Sequence, residues 1–318
     1  MQGDLGGWLD ALAGSDEEFV DRAWRLVVRR APEAAGRERA LAKLRDGTLS
    51  RAGLVRELAS SPEFDRVELL DAGLARAAAE RARGGRPREL HAPPESDERA
   101  IEIPWCLARY GSEPRALDVG YAFAEPAYLA GLAALGAAAL TGVDLAETEV
   151  PGLRSVVADV RKLPFADGSF DIGFCVSTLE HVGRDNEVYD VDAPREESGD
   201  EAALRELRRV LARDGRLLVS VPTGIEEDQG WQIVRTPTDW IALFERAGFL
   251  VYEDELYVRG EDGWRTASLD EASTARYEGP GAGAVLLAEL RPGTVGGKLR
   301  LAVRDVRYRD DVRRSTVA

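Results

Sequence analysis

Short apolar runs alternate with helical segments in the middle of the chain, and this alternation constrains the fold more than any other feature. The runs are RALDVG, AALTGVDL, SVVAD, FDIGFCVST and GRLLVSVP, and helical segments such as 202–211 and 238–247 accompany them. Strands that alternate with helices form a mostly parallel sheet with helices on both faces. The sequence therefore predicts an α/β domain in this region.

The stretches that flank this region differ from it in composition. Ser15 and Glu18 have the spacing of a capping box, and apolar residues then recur at helical intervals up to about residue 70. A following stretch is rich in Arg, Gly and Pro, which is typical of a solvated connection, and His91 within it is expected to be exposed. We predict a helical domain over 1–82, a linker over 83–97, the α/β domain over 98–292 and a basic tail or added strands over 293–318.

Charge and cysteine usage exclude several classes of partner. A net charge of −15 opposes binding to phosphate backbones, so no nucleic acid is expected as a partner. No apolar run reaches the roughly 20 residues of a membrane span, so no membrane insertion is expected either. Two cysteines lie far apart, at Cys106 and Cys175, without CxxC spacing. Neither a disulfide framework nor a cysteine-rich zinc site is indicated, so we expect a cytoplasmic protein whose partner is a small molecule.

Acidic residues close three successive apolar runs. Asp118 and Gly120 end the first run, Asp144 ends the second, and Asp159 ends the third. In open parallel sheets, ligands bind at the carboxyl ends of the strands, and a carboxylate there accepts hydrogen bonds from ribose hydroxyls. This pattern predicts a nucleoside-binding site.

Two longer segments carry a resemblance to a known family. LPFADGSFDIGFCVSTLEHV at 163–182, LRELRRVLARDGRLLVSVP at 204–222 and the shorter FERAGF at 244–249 resemble the class I S-adenosylmethionine-dependent methyltransferases. The resemblance covers roughly residues 98 to 290. It implies a Rossmann-like fold with a mostly parallel seven-stranded sheet, S-adenosylmethionine as methyl donor and S-adenosylhomocysteine as product.

The resemblance also implies which residues bind the cofactor. Asp118 and Gly120 would lie under the methionine moiety, Asp144 would bind ribose, and Asp159 with the backbone of Val160 would bind adenine. The same site would include Tyr121, Ala122 and Leu145. The loop departs from the family in having Ala122 and Ala124 where glycines are usual. Alanine is tolerated in such a loop where φ stays negative.

His181 is the candidate catalytic base, because it follows the fourth strand beside the expected cofactor site and imidazole accepts a proton near neutral pH. Glu180 would orient it. The alternative is that this pair only caps the strand. Related enzymes with an E-x-x-E-H run bind a divalent metal, but Ser177 replaces the first glutamate here, so we predict no metal ligands.

An acidic insertion over 183–201 follows the fourth strand, as either a lid over the acceptor or a solvated surface loop. Asn186 and Tyr189 give it groups that can grip a hydroxylated substrate. The sequence of this insertion resembles that of methyltransferases from polysaccharide and glycosylated-metabolite pathways, which favours O-methylation of a sugar hydroxyl on a small-molecule or glycan acceptor. One of the tryptophans of the C-terminal third is a candidate wall of the acceptor pocket: Trp231, Trp240 or Trp264.

Residues 19–64 resemble the small helical domain DUF4214, which accompanies enzymes of surface glycans.

Two functions other than methyl transfer stay open. An NAD(P)-dependent oxidoreductase shares the strand, turn and acid pattern, but the loop after Asp118 lacks GxGxxG. A non-catalytic scaffold with this fold is motivated by the degenerate glycine loop and the added helical domain.

Overall fold

The computed structural model describes residues 14–191, 193–278 and 281–293, so that all but the first residue of the predicted tail lies outside the described residues. Four helices come first: α1 (Asp16–Val27), α2 (Ala34–Arg45), α3 (Arg51–Ala59) and α4 (Pro62–Ala82). The predicted capping box at the start of α1 is confirmed, since the Ser15 hydroxyl accepts from the Glu18 N–H and the Glu18 carboxylate accepts from the Ser15 N–H. Helices α1 to α3 enclose a small apolar core around Phe19 and Leu54.

Helix α4 packs along α5 (Arg99–Ala108), which opens the α/β region. The connection between them is not simply solvated as its composition predicts. Leu90 and Ala92 are buried: the Leu90 N–H donates to the Tyr257 hydroxyl at 3.2 Å, and Ala92 forms a β-bridge. His91 between them is exposed, as predicted. This segment is held by contacts with residues more than 160 positions away in the sequence. The local composition, on which the prediction rests, does not indicate such contacts. The division of the chain at 82 and 97 stays a prediction.

One sheet of eight strands forms the centre of the α/β region. The strands are β1 (Arg115–Val119), β2 (Ala139–Asp144), β3 (Leu153–Val157), β4 (Phe170–Val176), β5 (Leu211–Pro222), β8 (Phe249–Gly260), β9 (Gly263–Thr266) and β10 (Ala284–Pro292). Their order in the sheet is β3-β2-β1-β4-β5-β10-β8-β9. All pairings from β3 across to β5 are parallel, whereas those from β5 onwards are antiparallel. The mostly parallel sheet is thus confirmed, with a hairpin partner, β9, added beyond seven strands.

Helices cover both faces of this sheet. On one face, α7 (Gly199–Val210) and α8 (Pro237–Arg246) enclose a core with the strands. On the other, α5, α6 (Pro126–Ala133) and part of α4 enclose a second core. The remaining elements are a ribbon of two short strands, β6 (Glu227–Asp228) and β7 (Ile233–Val234), the short helix α9 (Leu269–Ser273), and two single-turn 3₁₀ helices at Leu179–His181 and Glu187–Tyr189.

The sheet order reverses direction between β1 and β4, because the chain runs outward from β1 to β3 and then returns to the other side of β1. Such a reversal opens a crevice at the carboxyl ends of the strands. None of the helices in the described ranges has the length and apolar character needed to cross a bilayer.

Candidate active site

A cleft opens at this reversal point, with about 740 Å³ of space when the part open to solvent is included. Six residues that the sequence predicts for the site line it, namely Gly120, Asp144, Leu145, Asp159, Val160 and His181. The cleft thus brings together the ends of β1, β2 and β4 with the segment after β3.

Gly120 makes the sharp turn that lets the chain leave β1 at the floor of the cleft. Its φ is +89°, its N–H donates to the Val143 carbonyl at 2.9 Å, and a Cβ at this position would clash with the Thr178 hydroxyl. Ala122 and Ala124 have no positive φ. The loop therefore needs only its first glycine, which explains physically why alanine is accepted at the other two positions.

The Asp144 carboxylate lies at the end of β2 and organises the cofactor loop. It accepts the Ala122 N–H at 2.9 Å and the Leu145 N–H at 2.6 Å. Burial raises the pKa of this carboxyl, and the backbone donors oppose the rise. A carboxylate has about four lone-pair sites, so acceptor capacity remains beyond these backbone donors for a hydroxyl of a ribose. Ala122 contributes through this backbone bond and does not line the cleft.

Asp118 and Tyr121 lie beneath the cleft rather than on its surface. Burial raises the pKa of Asp118 to about 7, and the Tyr128 hydroxyl donates to its Oδ2. Its Oδ1 is buried without a hydrogen-bond partner. Tyr121 is fully buried and its hydroxyl pairs with Ser155. Both side chains support the loop from below, and their predicted contact with the cofactor stays a prediction.

Asp159 lines the cleft, but an arginine two residues along the chain already holds its carboxylate. The Arg161 guanidinium lies 2.6 Å from Asp159 Oδ2 and 3.0 Å from Oδ1, and it lowers the pKa of the aspartate. Arg161 also donates to Glu196 at 3.0 Å and to the Pro194 carbonyl at 2.9 Å. No sequence pattern indicated this arginine, which joins the predicted adenine end of the cleft to the acidic insertion.

That insertion contributes to the cleft wall, as the first of its two predicted alternatives requires. Asn186, Tyr189, Val191 and Ala193 line the cleft. The Tyr189 ring lies 5.1 Å from the ring of Phe123 in the cofactor loop and 5.6 Å from the ring of His181. The insertion therefore forms one side of the site.

The geometry around His181 fixes its neutral tautomer. His181 Nδ1 lies 3.0 Å from the Trp231 carbonyl, which can only accept, so Nδ1 carries the proton and Nε2 carries the lone pair. Burial lowers the pKa of His181 to about 4, so that the ring is neutral at physiological pH. The Trp231 carbonyl, rather than Glu180, therefore orients the ring: Nε2 lies 3.8 Å from Glu180 Oε1, beyond hydrogen-bond length.

Of the three candidate tryptophans, the structure brings only Trp231 to the site. Its ring stacks on His181 with centroids 5.2 Å apart. Trp240 and Trp264 are buried in the two cores beside the sheet, where their indole N–H groups donate to backbone carbonyls. These two are packing residues.

Two buried carboxyls stand behind His181. Burial raises the pKa of Glu180 to about 8, and its Oε2 has no hydrogen-bond partner. Glu102 of α5 is fully buried, its pKa is also raised by burial, and it accepts from the Ser177 hydroxyl at 2.9 Å. Ser177 itself lines the cleft with a φ of +44°, a strained conformation of the kind that clusters at functional sites.

The sequence analysis missed Glu102, although the segment AIEIPWCLA offered a signal: one acid inside an otherwise apolar helix. In space this carboxyl stands beside Ser177, the residue that replaces the first glutamate of E-x-x-E-H. Among the residues that the structure describes, no group of three or more His, Cys, Asp and Glu side chains has the geometry to hold a metal ion.

Glu180→Gln should make stability less dependent on pH. Because the pKa of Glu180 is raised in the folded state, its protonation favours folding at low pH, and that contribution disappears as pH rises towards about 8. Glutamine carries no such cost, so the variant should exceed wild type by about 4 kcal/mol at pH 8.5 and come within about 1 kcal/mol of it near pH 5. Urea unfolding at both pH values measures this difference. The exposed Glu187→Gln is the control, and an equal offset at both pH values would contradict the assignment.

Comparison with known proteins identifies the class of this domain. Residues 117–219 match the family model described as a methyltransferase domain. An uncharacterized protein of Methanocaldococcus jannaschii is 32% identical over 110 residues, which are 33% of this chain and 41% of that relative. The chain thus matches less than half the length of this curated relative.

Several solved structures resemble the chain at low identity. The [4+2]-cyclase SpnF is 18% identical, with a TM-score of 0.43 over 70% of this chain and 94% of that one. A 1,6-didemethyltoxoflavin-N1-methyltransferase of Burkholderia thailandensis, solved with S-adenosylhomocysteine, is 17% identical, with a TM-score of 0.41 over 83% and 93%. An S-adenosylmethionine-dependent methyltransferase of Mesorhizobium loti is 16% identical, with a TM-score of 0.37 over 56% and 90%.

The match to a methyltransferase domain lies on residues 117–219, and the sheet that contains them is Rossmann-like. The donor set of the cleft fits S-adenosylmethionine: Asp144 has acceptor capacity for ribose, and Val143, Leu145 and Val160 provide apolar walls for a planar base.

Proposed function

We propose that the chain transfers a methyl group from S-adenosylmethionine to a hydroxyl of a sugar, glycan or glycosylated metabolite. One observation carries this proposal: the side chain of His181, in a fixed neutral tautomer, lines the same cleft as Asp144. A base at that position is needed when the acceptor is a hydroxyl, which must lose its proton as the new bond forms.

S-adenosylmethionine supplies an electrophilic methyl group on a sulfonium. The chain's own residues then have to hold the acceptor in line, exclude water and take a proton. Nε2 of His181 carries the lone pair that accepts this proton, so the acceptor's O–H bond breaks as the N–H bond on Nε2 forms, and the Glu180 carboxyl 3.8 Å away lies beside the positive charge that results. Both residues keep the catalytic role that the sequence assigns to them, Glu180 as an electrostatic partner.

Aromatic side chains support a ring-shaped acceptor. Phe123, Tyr189, His181 and Trp231 form a continuous series of ring contacts with centroids 5.1 to 5.6 Å apart. Flat aromatic faces pack against apolar faces of a substrate, while the Asn186 amide in the cleft lining offers hydrogen bonds to hydroxyls. The buried free thiols of Cys106 and Cys175 support the proposed reducing, cytoplasmic location.

A thermal-shift experiment separates the proposal from both alternatives. S-adenosylhomocysteine should raise the melting temperature of the chain, and NADH should not. At a ligand concentration 100 times its Kd, the folded state should be stabilised by about 2.7 kcal/mol. Stabilisation by NADH alone would favour an oxidoreductase. No stabilisation by either, together with no binding of labelled S-adenosylmethionine in equilibrium dialysis, would favour a scaffold.

The acceptor needs a separate assay. A panel of hydroxylated sugars, glycosides and small metabolites, with release of S-adenosylhomocysteine as the readout, tests the acceptor class. Turnover of amines or thiols only would overturn the sugar-hydroxyl proposal and leave methyl transfer intact.

A further inference from the structure

Helix α4 carries one arginine that reaches two segments of the methyltransferase domain. Arg66 Nη2 lies 2.7 Å from Asp97 Oδ2 and also pairs with the Glu125 carboxylate. Asp97 stands just before α5, and Glu125 is the residue before α6, at the end of the loop that leaves β1. One guanidinium thus joins the starts of two helices that are close in space and distant in sequence.

The segment held through Glu125 is the cofactor loop, residues 120–125. Its Gly120 and Phe123 line the cleft, and its Ala122 N–H donates to Asp144. Phe123 also contacts the Tyr189 ring of the acidic insertion. The position of Glu125 therefore affects the cofactor side of the cleft first, and the insertion through one further contact.

The segment held through Asp97 leads to the acceptor side. Asp97 Oδ1 accepts the Arg99 N–H at 3.2 Å, which orders the start of α5. One turn further on, Glu102 binds the Ser177 hydroxyl, and Ser177 lines the cleft. Arg66 is thus connected to this side of the cleft through its ion pair with Asp97, the start of α5, and the hydrogen bond between Glu102 and Ser177.

Helix α4 is a firm support for this arginine. Leu70 and Ala77 of α4 are buried, and at Gly73 a Cβ would lie only 2.7 Å from the Pro104 ring of α5. Since the helices touch at this glycine, α4 cannot shift without moving α5. An isolated exposed ion pair contributes little to stability, but Asp97 is only 11% exposed and the arginine bridges two carboxylates.

We propose that Arg66 is a positioning residue through which the N-terminal helical region holds the cofactor loop and the acceptor-side helix in their binding-competent positions. The cofactor half of this inference rests on the methyltransferase class of the domain, and the acceptor half rests on the proposed function. Arg66 touches neither cofactor nor acceptor and acts through Glu125 and Asp97.

The test uses Arg66→Gln in the full chain. Calorimetric titration should show S-adenosylhomocysteine binding about 3- to 10-fold more weakly, the range of coupling through packed side chains. Hydrogen exchange should become faster in residues 97–103 and 120–126. Arg66→Lys should recover part of the affinity, because an ammonium can pair with one carboxylate but lacks the fork that spans two.

Arg29→Gln is the matched control. Arg29 pairs at 2.6 Å with Asp71 of α4, the helix that carries Arg66, and both side chains are 41% exposed. In the described part of the chain Arg29 forms no ion pair with Asp97 or Glu125. The Arg29→Gln variant should leave the affinity for S-adenosylhomocysteine unchanged. If Arg66→Gln and Arg29→Gln lowered the melting temperature alike and neither changed affinity or exchange, Arg66 would be only structural and the proposal would fail.

A double-mutant cycle identifies the route. In a Glu125→Gln background, Arg66→Gln should cause no further loss of cofactor affinity, whereas in an Asp97→Asn background it should still do so. Additive losses in the Glu125→Gln background would contradict action through Glu125. Failure of the wild-type chain to bind S-adenosylhomocysteine would overturn the cofactor assignment instead, and exchange in residues 120–126 would still report on Arg66.

Discussion

His181→Ala should lower turnover by about 100-fold or more and leave cofactor affinity nearly unchanged, as expected for the loss of a general base. The imidazole lines the cleft with Nδ1 on the Trp231 carbonyl, so its removal takes away the lone pair on Nε2. Steady-state kinetics with an acceptor from the sugar panel measures turnover, and calorimetry with S-adenosylhomocysteine measures affinity.

His181→Gln is the sharper variant, because glutamine keeps much of the size and the hydrogen bonding but cannot accept a proton at neutral pH. The chain has only one other histidine, the exposed His91, so His91→Gln is a matched control that should keep full activity. Near wild-type turnover in His181→Gln would reduce His181 to a structural cap of β4, the alternative that the sequence leaves open.

The pH profile gives an independent check on the same base. Burial lowers the pKa of His181 to about 4, so the ring is neutral, and able to accept, at all higher pH values. The acid limb of kcat/KM should therefore lie well below the ordinary histidine value of about 6.5.

A metal-dependent route predicts instead that a chelator abolishes activity and that magnesium or manganese restores it.

Features encoded by neighbouring residues could be predicted from the sequence. The alternation of apolar runs indicated the parallel sheet, and the acid after an apolar run placed Asp144 at the cleft, because strand ends meet at one edge. The Ser15 capping box was predicted from a spacing of three residues. In each case a short stretch of chain contains all the information needed.

Features that depend on distant pairings could not be predicted. Glu102 meets Ser177 across 75 residues, and Leu90 meets Tyr257 across 167. No local pattern reports such a meeting, because it is set by the crossing of α5 behind the sheet and the path of the linker along β8. The structure adds that the Tyr128 hydroxyl donates to the buried Asp118 carboxylate, a contact that no residue spacing indicated.

Asp144→Ala should weaken S-adenosylmethionine binding by about 1.5 to 3 kcal/mol, the usual range for a lost hydrogen bond to a charged group, while the fold survives. The carboxylate also accepts the N–H groups of Ala122 and Leu145, so part of the loss would come from a less ordered loop. Asp144→Asn separates the two parts: its amide oxygen can keep one backbone bond but cannot accept both ribose hydroxyls.

Asp171→Ala is the control for this last measurement. Asp171 lies at the amino end of β4, whereas the cleft lies at the carboxyl ends of the strands. It pairs with Arg115 at 2.6 Å, so its loss removes a charged acceptor far from the cleft. Calorimetric titration should therefore rank affinities as wild type and Asp171→Ala, then Asp144→Asn, then Asp144→Ala. Unchanged affinity in a folded Asp144→Ala variant would remove Asp144 from the cofactor site, since no other carboxylate at the end of β2 lines the cleft in the part of the chain that the structure describes.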